Sequence, residues 1–107
     1  MMKFKIYFAF AILLTTSNAY AVTECTEKIV NYFVGTSEVN QSDAHLWITF
    51  ERGGSASVSS KSAAFDGMLS TVITSIAADK TVKVRYKADN VECKMHHGDW
   101  VGIWLYK

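Results

Sequence analysis

Proline is absent from all 107 residues, so every turn must rest on Gly, Asn, Asp or Ser. Cysteine is nearly absent, with only Cys25 and Cys93. Neither sign of charge is in excess: 11 Lys and Arg stand against 10 Asp and Glu. That balance argues against a nucleic-acid binder, which needs a basic surplus, and against a polybasic membrane anchor. One apolar run occurs early, Ile6 to Leu14, and it is too short to cross a bilayer as a helix. No second run follows, so no membrane span is expected. Catalytic signatures are missing too, with no Gly-x-Ser-x-Gly and no His-Glu-x-x-His. The chain therefore reads as a binding protein and not an enzyme, with no cofactor implied.

What is present begins with an export tag. Lys3 and Lys5 precede the apolar run, and Thr15-Thr16-Ser17-Asn18 leads to Ala19-Tyr20-Ala21. This small-x-small ending predicts a signal peptide over residues 1–21, cut before Val22. No Cys follows the cut, which argues against a lipid anchor. Cleavage removes two of the 11 basic side chains and none of the 10 acidic, so the formal charge moves from +1 to −1. Residues 22–107 are the length of one domain, placed in the periplasm or outside the cell. So small a domain buries a modest core and often needs a staple. In an oxidising compartment the one available pairing is Cys25 with Cys93. Closing a loop of about 70 residues would contribute roughly 4 kcal/mol in the chain-entropy account. No Cys-x-x-Cys spacing marks the pair as a redox motif.

Alternation and helical period set the elements. Glu27 to Val34 is rich in strand formers, and Gly35 to Asp43 reads as a loop. His45 to Glu51 alternates, with Leu46, Ile48 and Phe50 on one face and Trp47 on the other. Arg52-Gly53-Gly54-Ser55 reads as a hairpin turn, after which Ser55 to Ser60 returns with Ala56 and Val58 inward. Phe65, Met68, Leu69, Val72, Ile73, Ile76 and Ala77 form one apolar stripe of a helix over 63–78, with Ser62 as N-cap and Asp66 in the first turn. Thr81 to Lys87 alternates again, Val91 to Asp99 is a polar loop, and Trp100 to Tyr106 is a last strand. The order β-β-β-α-β-β is that of an OB-fold, a five-stranded barrel plugged by its helix. An antiparallel sheet with one packed helix, an α+β architecture, is the alternative.

The signal peptide, the early and late Cys, the Ser-rich strand Ser55-Ala56-Ser57-Val58-Ser59-Ser60, the stripe from Phe65 to Ala77 and the run Lys80-Thr81-Val82-Lys83-Val84-Arg85-Tyr86 follow one another along most of the chain. In this the chain resembles the receptor-binding B subunits of bacterial pentameric toxins of the cholera and subtilase type, and also small exported bacterial proteins of similar pattern. The resemblance implies an OB-fold and a pentamer whose helices line a central pore. No glycan-binding signature carries over residue by residue.

Three groups of residues are candidate sites. Trp47, Trp100 and Trp104, with His96 and His97, offer an aromatic and polar surface of the kind that stacks on sugar rings. The competing reading covers Trp47 and Trp104 with another segment or subunit. Gly67, Ser70, Thr71, Thr74 and Ser75 form a small, uncharged helix face that would let another copy approach closely. Its bland reading is a Ser/Thr-rich exposed face. His96 and His97, with His45 and Asp43, do not make a metal site, because adjacent histidines on an extended chain point to opposite sides and a site needs three or four converging ligands. Lys83, Arg85 and Lys87 form a basic stripe, read as the charge that protects a sheet edge. The functional expectation is a glycan- or surface-binding subunit, possible as a homo-oligomer. Its alternative is a monomeric periplasmic domain that binds or inhibits another protein.

Overall fold

The computed structural model describes residues 22–36, 38, 43–98 and 100–107. The export tag expected over 1–21 lies outside the described residues, as do most of the loop after Gly35 and Asp99. The described chain is mainly β with one helix. Its elements are β1 (Thr23–Glu27), β2 (Ile29–Gly35), β3 (His45–Phe50), β4 (Ser55–Ser59), α1 (Phe65–Ala77), β5 (Val82–Tyr86), β6 (His96–His97) and β7 (Trp100–Leu105). A three-stranded sheet runs β1-β5-β7 and a four-stranded sheet runs β2-β3-β4-β6. Every pairing is antiparallel except β4 with β6.

Five strands were expected and seven occur in the described residues, because β1 precedes the first expected strand and the short strand β6 is added. The strand expected over Glu27 to Val34 is β2, which starts at Ile29, and β1 is an unexpected strand before it, separated by Lys28 alone. β1 pairs with β5 and β2 with β3, so one stretch of chain serves both sheets. The polar loop before Trp100 contributes the two-residue strand β6 on the edge of β4. The sheets are not joined by a continuous ladder into a closed barrel. They meet at the Lys28 corner on one side and where β4 lies beside β7 on the other.

The alternation in the sequence builds the core directly. Leu46, Ile48 and Phe50 from β3, Ala56 and Val58 from β4, and Val82, Val84 and Tyr86 from β5 are all buried. Two irregularities alter this parity. The register of β2 shifts between Ile29 and Asn31, and that of β7 shifts where Tyr86 faces Trp100 and Arg85 faces Gly102. Each inserts one extra residue, Val30 and Val101, which is the definition of a bulge. The second bulge turns Trp100 inward. The indole is 2% exposed, and its Nε1 donates to the Gly102 carbonyl at 2.7 Å.

Helix α1 lies across β2 and β7, one strand from each sheet, and so covers the seam between them. Met68 and Val72 enter the core, with Phe65, Leu69 and Ile76 packed at its margin. Ile73, part of the expected stripe, is instead 43% exposed. Ser62 does not occupy the N-cap. That position is Ala64, whose N–H donates to Ser62 Oγ at 3.3 Å, so Ser62 sits ahead of the cap. The C-terminus closes as a Schellman turn. Asp79 takes φ +54°, Lys80 N–H donates to Ser75 O at 2.8 Å, and Asp79 N–H donates to Ile76 O at 3.3 Å. Asp79 also pairs with Lys28 Nζ at 2.9 Å, tying the helix end to the β1–β2 corner.

Cys25 and Cys93 are joined as a disulfide across 68 residues. Cys25 belongs to the buried core, and Cys93 packs half-buried at its margin. The β3–β4 turn receives the disulfide loop closely. A Cβ on Gly54 would stand 2.5 Å from the Cys93 carbonyl, and Gly54 has φ +92°.

Candidate binding face

The outer face of the four-stranded sheet gathers side chains that alternation directs away from the core. On β3 these are His45, Trp47 and Thr49, between the buried Leu46, Ile48 and Phe50. Cross-strand register places Phe33 of β2 on one side of Trp47 and Ser57 of β4 on the other. Phe33 is 54% exposed and Trp47 is 41% exposed, so this row is a surface and not a second core. The Phe33 ring lies over Gly35, where a Cβ would be only 3.0 Å from it. Glycine at that position gives the ring room to lie flat.

His96 completes the row. Its ring stacks on Trp47 with centroids 4.3 Å apart and planes 15° from parallel. Ser55 Oγ lies 2.8 Å from Nδ1, and Ser57 Oγ makes a longer 3.5 Å contact with Nε2. A hydroxyl can donate to a bare ring nitrogen or accept from an N–H, so two serines satisfy either neutral tautomer. The short parallel pairing of β6 with β4 brings His96 opposite Ser55. The result is a row of three rings, Phe33, Trp47 and His96, edged by the half-buried hydroxyl of Ser55, with Ser57 buried beside His96. Chemically it offers flat apolar faces with adjacent donors and acceptors.

The other aromatic candidates lie elsewhere. Trp100 is a core residue, removed from any surface by the β7 bulge. His97 points away from His96, as expected for neighbours on an extended strand. It packs against Tyr86 at 4.5 Å between ring centroids, and its Nε2 hydrogen-bonds the Glu92 carbonyl. Trp104 is 53% exposed on the outer face of the three-stranded sheet. There its Nε1 donates to Glu24 Oε2 at 2.9 Å, the same oxygen that accepts from Arg85 Nε at 2.9 Å. These two donors hold the Glu24 carboxyl below its ordinary value, the Trp104 N–H having the larger effect. Arg85 also stands 5.9 Å from the Trp104 ring centre, and Lys83 5.6 Å from that of Tyr106. Lys83 and Arg85 are thus tied to aromatic and acidic partners, and their strand β5 is the centre of its sheet, not the edge that the charge was expected to protect.

The small helix face also divides. Ser75 is 2% exposed, with Oγ donating to the Val72 carbonyl at 2.8 Å, so it belongs to the interior. Thr71 is half-buried, and its hydroxyl donates to Gly67 O at 2.8 Å. Gly67, Ser70 and Thr74 remain exposed, with Thr74 Oγ1 donating to Ser70 O at 2.9 Å. A shallow cleft borders this strip, lined by Asp66, Leu69, Ser70, Ile73 and Thr74.

Among the described residues one cluster brings three metal-ligating residue types together, Cys25, Glu27 and Cys93. Both sulfurs are spent on the disulfide. No helix among the described residues is long and apolar enough to cross a membrane.

The chain matches no protein-family model, no curated protein and no solved structure. The site is therefore argued from its own side chains. Sequence reasoning reached Trp47 and His96 but missed Phe33, Ser55 and Ser57. The serines were legible: Ser55, Ser57 and Ser59 alternate with Ala56 and Val58 and so share the face of Trp47. Phe33 was hidden, because Tyr-Phe-Val gives no alternation from which a face can be assigned.

Proposed function

We propose that the protein is an exported, non-catalytic binding domain that holds a carbohydrate on the outer face of its four-stranded sheet. The observation carrying this reading is the Trp47–His96 stack, flanked by Phe33 and bordered by Ser55. Sugar rings present an apolar face that packs on an aromatic ring and a rim of hydroxyls that pair with serine and imidazole.

Binding at a single shallow row is weak, and repetition strengthens it through effective concentration. The exposed strip Gly67, Ser70 and Thr74 fits assembly of several copies, since small side chains permit close helix approach. In that arrangement the domain is a subunit, as in the toxin B subunits it resembles.

The test is a glycan array probed with the purified protein, followed by titration of the best ligand against Trp47→Ala and Trp104→Ala. Trp47→Ala is expected to weaken binding at least tenfold while Trp104→Ala retains it. Silence across the array, or loss confined to Trp104→Ala, overturns the reading.

A further inference from the structure

Glu27 is the one acidic side chain that the alternation of β1 turns inward, beside Cys25. It is 7% exposed, and its Oε2 is buried without a hydrogen-bond partner. An uncompensated carboxyl in a small core is costly, so its position calls for a reason. A carboxylate oxygen of Glu27 lies within 4.8 Å of both Cys25 Sγ and Cys93 Sγ. The two residues are unequally exposed: Cys25 is 2% exposed in a strand, whereas Cys93 is half-buried on a loop.

We propose that the Cys25–Cys93 bond is a proton-coupled site of thiol–disulfide exchange with an external dithiol, in which Glu27 supplies the proton to Cys25. The thiolate of the dithiol attacks Cys93 Sγ, on the more exposed residue. The S–S bond breaks, and its electron pair departs on Cys25 Sγ. A thiolate there would be a buried anion beside a carboxyl. Glu27, in its acid form, passes its proton to that sulfur and becomes the carboxylate. The donor's second thiol, as a thiolate, then attacks the donor sulfur of the mixed disulfide. Cys93 leaves, taking a proton from solvent, and Glu27 is reprotonated through the adjoining cleft. The dithiol is oxidised to a disulfide, and the protein's disulfide is reduced to two thiols.

The surroundings suit a proton donor. Burial raises the Glu27 carboxyl above its ordinary value, with the Arg52 charge pulling weakly the other way. A cleft of about 330 Å³ borders it, lined by Thr26, Lys28, Glu51, Arg52 and Thr81 as well as Glu27, and gives a path to water. Lys28 is engaged by Asp79, so Arg52 and Glu51 from the β3–β4 turn are the remaining charges on that path. A separation within 4.8 Å is bridged directly, by one water or by rotation of Cys25 once the bond opens.

The experiment follows reduction of the purified protein by dithiothreitol between pH 4 and pH 8, with each rate divided by the thiolate fraction of the reagent. For the natural chain the corrected rate is expected to fall at least tenfold as pH rises through the Glu27 titration. For Glu27→Gln it is expected to be flat and below the acid limit of the natural chain. A flat profile in the natural chain overturns the proposal, and that measurement stands even if Glu27→Gln fails to fold. So does an identical fall in both proteins. Independently, glutathione followed by an acid quench and peptide mass mapping is expected to place the mixed disulfide on Cys93. An adduct on Cys25 overturns the assigned direction of attack.

Discussion

Gly53 and Gly54 separate two effects that usually act together. Both take φ in the left-handed half of the map, +101° and +92°. A side chain at Gly53 would meet nothing within 4 Å, whereas one at Gly54 would strike the Cys93 carbonyl at 2.5 Å. Gly53→Ala should therefore cost about 1 kcal/mol, the backbone penalty alone. Gly54→Ala should cost more than 2 kcal/mol, because backbone strain is joined by displacement of the disulfide loop. Urea unfolding of the two variants checks this order, and equal costs would show that the loop yields freely. The sequence marked this pair as a turn and could not say which glycine was irreplaceable. That distinction depends on Cys93, 39 residues away. Trp100 taught the opposite lesson. Simple alternation puts it on the face of Gly102 and Trp104, and only the extra residue Val101 turns it inward. A bulge has no signature in the residues that form it here.

At the scale of the element, α1 was the most legible part of the chain, because seven apolar residues at helical spacing leave one solution. What the pattern did not fix was the angle at which the stripe meets the sheets. The helix straddles β2 and β7, so Met68, Val72 and Ser75 point down while Ile73 rolls toward solvent. Ser75 reaches the interior without penalty because its hydroxyl donates to Val72 O within the same helix. Met68→Ala should destabilise the domain by about 2–5 kcal/mol, as expected for a truncated core side chain. Ser70→Lys, on the exposed strip, should leave the unfolding midpoint of the isolated domain within about 0.5 kcal/mol. The same lysine should dissociate an assembly that packs through that strip, since it places a charge in each close contact. Light scattering alongside thermal melts reads both consequences. Unchanged mass for a lysine variant of an oligomer would move the interface off the helix. Strand β1 was less legible: Thr23 to Glu27 carries two glutamates and no apolar alternation beyond Cys25, and its place is set by pairing with β5.

Across the whole molecule, two carboxyls on one strand work against each other as pH changes. Glu24 faces outward and Glu27 inward, three residues apart with opposite environments. Donors from Trp104 and Arg85 lower Glu24 below the ordinary value of 4.5, and burial raises Glu27 above it. Folding stability rises with pH wherever the unfolded chain binds more protons than the folded one. For Glu24 the folded state prefers the charged form. Its contribution is present above pH 4.5 and is lost as pH falls through the lower folded value. For Glu27 the folded state prefers the neutral form. Its contribution is full below pH 4.5 and is lost as pH rises through the higher folded value. Glu24→Gln should thus lower the melting temperature at pH 7, and the deficit should shrink toward zero near pH 3. Glu27→Gln should raise it at pH 7, and the gain should shrink as pH falls below 4.5. Melting curves of the two variants between pH 3 and pH 8 therefore diverge from the natural chain in opposite directions as pH rises. A gain for Glu27→Gln at neutral pH would mean that the natural chain accepts a less stable core to keep an ionisable group beside its disulfide, whereas a loss would place Glu27 in a stabilising contact and remove the reason for giving it a proton to transfer.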